Sequence, residues 1–149
     1  MTENSIQGNI LIVDDETSIR TLLTEHLKKQ GHQIYTAENG LKALQLLEEH
    51  KIDVIISDII MPELDGVELV KRVRVEYPIT RIIMMTGFVS IDNLLICVQN
   101  QVDTVIFKPF RKLDEFTTAV EKSLKHLKHW QHKLNEYETF FGNGPGIND

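Results

Sequence analysis

Short apolar runs alternate along this chain with segments whose apolar residues recur every three or four positions. Asn9 to Val13 reads as a buried strand. A helix follows from about Glu16, with Ile19, Leu22, Leu23 and Leu27 on one face, and stops at Gly31. Gln33 to Ala37 predicts a second strand, then a helix opening at Asn39 and Gly40 that buries Ala43, Leu44 and Leu47. Ile52 to Ser57 is a third strand, followed by the loop Met61-Pro62-Glu63-Leu64-Asp65-Gly66 and a helix with Val67, Val70 and Val73 inward. Arg81 to Met85 makes a fourth strand. Ser90 caps a helix carrying Ile91, Leu94, Leu95 and Val98, Thr104 to Phe107 is the fifth strand, and a last helix begins near Lys112.

Five strands that each precede a helix imply parallel pairing, because helical crossovers are what join parallel neighbours. Continuous apolar runs such as Ile52 to Ile56 suit a sheet covered on both faces. The predicted fold is a doubly wound α/β domain over residues 8–125. Ligands of such sheets bind beyond the carboxyl ends of the strands.

Composition narrows the function without naming it. In 149 residues, 16 Lys and Arg stand against 22 Asp and Glu, a net charge of -6, which disfavours direct nucleic-acid binding. The single cysteine, Cys97, excludes an intrachain disulfide or a multi-cysteine zinc site. No apolar stretch approaches the roughly 20 residues of a membrane span and the start lacks a secretory signal, so the expected place is the cytoplasm.

The strand ends carry the chemistry. The first strand ends in Asp14 and Asp15, the third in Asp58, the fourth in Thr86 and Gly87, the fifth in Phe107, Lys108 and Pro109. Three gathered carboxylates repel one another unless a proton or a cation joins them, and all-oxygen ligands suit Mg²⁺. A lysine and a threonine hydroxyl beside them could hold a group with several anionic oxygens, which points to phosphoryl chemistry. Taken singly, Asp14 and Asp15 also read as a helix-start signal, Asp58 as a turn residue and Thr86 as a strand end. Their conjunction at successive strand ends is what separates the two readings.

Over residues 8–125 the chain resembles the receiver domain of bacterial two-component response regulators. The resemblance rests on Leu11-Ile12-Val13-Asp14-Asp15, Ser57-Asp58, Met61-Pro62, Asp65-Gly66, Met85-Thr86-Gly87 and Lys108-Pro109-Phe110. Spacing agrees too, with 44 residues from Asp14 to Asp58, 28 on to Thr86 and 22 on to Lys108. It implies a flavodoxin-like (βα)5 sheet of order 2-1-3-4-5. It further implies that Asp58 accepts a phosphoryl group from a phosphohistidine on a sensor histidine kinase or phosphotransfer protein. Mg²⁺ would be held by Asp15, Asp58 and the carbonyl of Ile60, with Asp14 acting mainly through a water. Thr86 would hydrogen-bond the phosphoryl oxygens, Lys108 would pair with them, and the Lys108-Pro109 peptide is expected to be cis. Such a protein is no enzyme with a separate substrate; it catalyses its own phosphorylation and dephosphorylation.

Two departures from the family's pattern stand out. Where an aromatic usually stands three residues before the lysine, this chain has Val105, which cannot swing a ring between two pockets; Phe107 shares its face by strand alternation. Activation is then expected to rely on loop and helix shifts. Ile60 and Phe88, two residues beyond Asp58 and Thr86, place apolar groups along the path of an attacking water, which predicts slow self-dephosphorylation.

Apolar spacing continues past the receiver. Leu113, Phe116, Val120, Ser123, Leu127, Trp130, Leu134, Tyr137 and Phe141 step by three and four with one polar interruption, a heptad seam about 43 Å long. Residues 126–141 are read as a helical extension and 142–149, with Gly142, Gly144, Pro145 and Gly146, as a tail that ends it. The seam predicts a homodimer contact or a signalling helix to a C-terminal output module. The alternative is an amphipathic helix folded back on the domain. His126, His129 and His132, among Lys122, Lys125, Lys128 and Lys133, read as a solvated basic face rather than a metal site. Ile96 and Val105 are expected to contribute to an apolar partner-binding patch.

Other classes fit less well. A haloacid-dehalogenase-like phosphatase needs an Asp-x-Asp pair where this chain reads Asp14-Asp15-Glu16, and a flavodoxin-like cofactor binder needs a hydroxyl-rich loop there. A phosphorylation-independent pseudo-receiver module is the remaining alternative; the complete set of acidic residues argues against it and Val105 argues for it.

Overall fold

The structure is a computed structural model and describes residues 6–87 and 90–142. Its order is β1 (Asn9–Val13), α1 (Thr17–Lys28), β2 (Gln33–Ala37), α2 (Gly40–Glu49), β3 (Val54–Asp58), α3 (Gly66–Glu76), β4 (Arg81–Thr86), α4 (Ile91–Gln99), β5 (Thr104–Phe107) and α5 (Asp114–Phe141). The five strands form one parallel sheet in the order β2-β1-β3-β4-β5, with Ile12 level with Ile56 and Ser57 level with Met84. The expected (βα)5 architecture is the one observed. The third strand is shifted, however: Ile52 precedes it and Asp58 is its last residue, level with Met85.

Strand alternation splits the core into two layers. Leu11, Val13, Ile55, Ile82 and Met84 face α2, α3 and α4, packing with Leu47, Leu69, Val73 and Cys97. Ile10, Ile12, Val54, Ile56, Ile83 and Met85 face α1 and α5, where Leu23, Leu27, Phe116, Val120 and Leu124 close over them. Complete burial of one such side chain contributes about 2 kcal/mol, so the central strands hold the sheet rigid up to their carboxyl ends.

Helix caps set where each helix begins. The side chains of Asn39, Asp65 and Ser90 accept the backbone N–H of Lys42, Glu68 and Asn93. The α1 helix has no such side-chain cap at Glu16. The chain leaves α1 through Gly31 at φ 92°, a left-handed conformation that glycine adopts without a Cβ clash.

The helix α4 departs from the periodic reading. Ile91, Leu95 and Val98 are exposed, and the helix turns Cys97 into the core with Leu94 half-buried. Ile96 and Val105, expected on the outer patch, are half-buried, and Val105 packs against the core; the outer apolar face belongs to Ile91, Leu95 and Val98 instead. Periodicity defines an apolar stripe, but which side of a short helix meets the sheet is decided by packing against its neighbours. On α1, Leu22 likewise proves exposed.

The last helix is continuous to Phe141 and does not fold back. Phe116, Val120, Ser123, Leu124 and Leu127 are buried, whereas Trp130, Leu134, Tyr137 and Phe141 on the same stripe are exposed. No helix among the described residues is long and apolar enough to cross a membrane. The expectations for Phe88 and for the tail beyond Gly142 lie outside the described residues.

Candidate functional site

The carboxyl ends of β1, β3, β4 and β5 converge because parallel strands all finish on one edge of the sheet. At that edge Asp14 is fully buried, Asp58 nearly so, and Asp15 is exposed. One oxygen from each of the three carboxylates lies within 4.8 Å of the others, the one group of potential metal-ligating residues of this kind among the described residues. A hard, all-oxygen donor set with two buried carboxylates fits Mg²⁺, and the histidines of α5 form no comparable cluster.

Lys108 reaches across from β5. Its Nζ donates to Oδ2 of Asp14 and to Oδ2 of Asp58, each at 2.9 Å, and lies 3.8 Å from Oε1 of Glu16. The Lys108-Pro109 peptide is cis, and the Lys108 N–H donates to the Thr86 carbonyl at 2.8 Å, joining the ends of β4 and β5. Thr86 itself is buried at the end of β4. The Ile60 N–H donates to Asp58 Oδ1 at 3.3 Å, while the Ile60 side chain is exposed.

These contacts shift two proton affinities. Burial pushes the Asp14 carboxyl above its ordinary value, and the nearby Asp58 charge adds to this. The Glu16 N–H, which donates to Asp14 Oδ1 at 2.8 Å, and Lys108 offset part of the rise. For Lys108, burial acts downward, but hydrogen bonds to Asp14 and Asp58 and their charges prevail and raise it, so it stays an ammonium at neutral pH.

Several supporting residues escaped the strand-end reading. Arg20, one turn into α1, donates to the Asp14 carbonyl at 2.6 Å and to Thr17 Oγ1 at 3.1 Å. Ser57 Oγ, fully buried, donates to the Asp58 carbonyl at 2.9 Å. Gly66, quoted above only as part of a motif, has its N–H on the Ile59 carbonyl, and a Cβ there would stand 2.1 Å from the Asp58 carbonyl oxygen. Only a glycine lets the start of α3 approach the backbone of Asp58 so closely. A polar residue one turn into a helix that follows a strand-end Asp would have been the signal for Arg20. Nothing in the spacing marks Ser57 beyond its adjacency.

Beside Lys108 opens a groove of about 680 Å³ lined by Ile19, Leu22, Pro109, Phe110 and Leu113. Phe107 is exposed on the opposite face of β5 from the buried Ile106.

Fold and site together define a receiver-type α/β domain: a 2-1-3-4-5 parallel sheet with an acid triad and a lysine at its carboxyl edge. The response regulator receiver domain family matches residues 10–121, and the chain belongs to that family. It is 38% identical over 115 residues to sporulation initiation phosphotransferase F of Bacillus subtilis, covering 77% of this chain and 92% of that protein. It is 33% identical to the DNA-binding transcriptional regulator NtrC of Escherichia coli, over 87% of this chain but 27% of that much longer protein. The crystal structure of the response regulator TrrA from Thermotoga maritima, in complex with Mg²⁺ and BeF, superposes with a TM-score of 0.70 at 35% identity, covering 78% of this chain and 98% of that one.

Proposed function

We propose that Asp58 accepts a phosphoryl group from a phosphohistidine carried by a sensor histidine kinase or a phosphotransfer protein, and that the chain signals by this modification. The observation that carries the reading is the double hydrogen bond of Lys108 to Asp14 and Asp58 within a triad of converging carboxylates. An Asp58 carboxylate oxygen forms the new P–O bond as the P–N bond to the donor imidazole breaks, and the electron pair leaves with the imidazole nitrogen. A loose, in-line transfer needs little beyond positioning and charge neutralisation. Lys108 neutralises the phosphoryl oxygens on one side, and the Thr86 hydroxyl donates to another of them. Asp15, Asp58 and the carbonyl of Ile60, with Asp14 through a water, would hold Mg²⁺, which when bound supplies charge neutralisation at those oxygens.

The groove formed by Ile19, Leu22, Pro109 and Phe110 offers apolar surface on which the phosphohistidine-bearing partner can seat beside Asp58. The protein modifies itself rather than a separate substrate, and the cytoplasm is its proposed place. A C-terminal output module, as the length of NtrC implies for that protein, would continue from α5.

Intact mass after incubation with Mg²⁺ and a small phosphodonor such as acetyl phosphate tests the assignment. One added phosphoryl group is expected on the wild type and none on Asp58→Asn. Equal labelling of both would remove Asp58 from the role. Labelling of neither, with Mg²⁺ binding demonstrated, would favour the phosphorylation-independent module.

A further inference from the structure

Among the described residues, none covers the apolar stripe on the outer half of α5. The helix runs away from the phosphoacceptor edge, and Leu127 and Gln131 line a cavity of about 430 Å³ with Ile52 and Asp53 at the far end of the sheet. Beyond that point Trp130, Leu134, Tyr137 and Phe141 continue the buried stripe at heptad spacing while 48%, 52%, 44% and 59% exposed. An isolated helical stretch of this length is marginal in water and is ordinarily held by packing of its apolar face.

We infer that a second copy of this chain covers the stripe, the two outer halves of α5 forming a parallel two-stranded coiled coil with Trp130, Leu134, Tyr137 and Phe141 in the seam. Charge on the flanks selects both the occupant and its direction. With Leu113 as position a of the heptad, Lys133 falls at g and Glu138 at the following e, the spacing at which g and e residues of two parallel helices meet. Each dimer then has two Lys133–Glu138 pairs related by symmetry, and the other flanking pair, His126 with Gln131, brings no like charges together. An antiparallel pair matching Trp130 to Phe141 and Leu134 to Tyr137 would set Lys133 beside Phe140 and Glu138 beside Gln131, without the ionic match. Within one helix Lys133 binds Glu136 at 3.2 Å and His132 lies 2.9 Å from Glu136, contacts on the outer face that leave the seam open. The dimer puts both receivers at one end of the coil and both Asp58 sites at the edge away from it.

The inference does not depend on the phosphoacceptor reading, so its test uses no phosphodonor and no Mg²⁺. Sedimentation equilibrium of the whole 149-residue chain is expected to show a reversible dimer. Leu134→Glu is expected to give a monomer with an unchanged sheet signature in circular dichroism. Lys133→Glu and Glu138→Lys should each weaken the dimer by about tenfold, because two symmetric pairs turn from attractive to repulsive, and the double exchange should recover most of the loss. A monomeric wild type at all concentrations, or a dimer indifferent to Leu134→Glu, would overturn the seam. Losses that simply add in the double exchange would overturn the parallel arrangement.

Discussion

Lys108 Nζ lies 2.9 Å from Oδ2 of Asp58, a contact between the ends of β5 and β3 with β4 between them. The two residues are 50 apart in the chain, and the strand order 2-1-3-4-5 brings them together. The same ammonium holds Asp14 of β1, so one cation ties down carboxylates from two other strands. This arrangement offsets part of the repulsion between the buried Asp14 and Asp58, while Asp15 stays exposed beside them.

Removal of that ammonium should cost stability. Lys108→Ala is expected to lower the unfolding free energy by about 1–3 kcal/mol in Mg²⁺-free buffer, since Asp14 and Asp58 lose their partner while remaining buried. Urea denaturation with and without Mg²⁺ checks it. The added cation should restore more stability to the variant than to the wild type.

Mg²⁺ should raise the melting temperature of the wild type, as any ligand of the folded state does. At a concentration a hundredfold above its dissociation constant, the gain is about 2.7 kcal/mol. Asp15→Asn removes the exposed carboxylate of the proposed Mg²⁺ site without disturbing the core and is expected to abolish most of the shift. Differential scanning calorimetry of both proteins across a Mg²⁺ series reads this directly.

The raised proton affinity of Asp14 gives a pH dependence of definite sign. Its stabilising contribution is fully present below its ordinary value of 3.8 and is lost as pH rises through the elevated folded value. Lys108, raised from 10.5, keeps its contribution over that whole range and loses it only in strong alkali. Asp14→Asn should therefore be more stable than the wild type at neutral pH without Mg²⁺, the advantage shrinking as the solution is acidified. Denaturant midpoints measured between about pH 4 and about pH 8, from the ordinary carboxylate value to neutrality, would contradict this if the two curves ran parallel.

Gly66→Ala should be severe for an alanine substitution. Its Cβ would meet the Asp58 carbonyl oxygen at 2.1 Å and the Ile59 Cα at 2.8 Å, both backbone, so α3 or the end of β3 must move. A loss of at least about 2 kcal/mol is expected, together with slower phosphoryl uptake. Equilibrium unfolding and an uptake time course measure the two effects separately.

Ile60, two residues beyond the proposed phosphoacceptor Asp58, has an exposed side chain while its N–H donates to the Asp58 carboxylate. Replacing it by Asn, which can hydrogen-bond a water there, should shorten the life of the phosphorylated form severalfold while leaving uptake intact. The decay of the phosphorylated mass with time is the readout, and an unchanged half-life would dismiss the shielding role.

Much of this was legible in the chain itself. Apolar runs such as Val54 to Ile56 and the stripe Leu23–Leu27 report strands and helices because hydrophobicity is carried by each side chain and its period along the chain reveals the element. Asp14, Asp58, Thr86 and Lys108 were legible as candidates because a parallel α/β sheet sends every strand end to the same edge. What only the tertiary structure decided is of another kind: that α4 turns Cys97 inward and leaves Ile91, Leu95 and Val98 outside, that Arg20 and Ser57 brace the acids from behind, and that α5 runs straight past the sheet. Each depends on how elements distant in sequence are rotated and spaced against one another. Periodicity along a single helix does not contain that angle, because it is settled by packing against neighbours whose positions the local sequence does not encode.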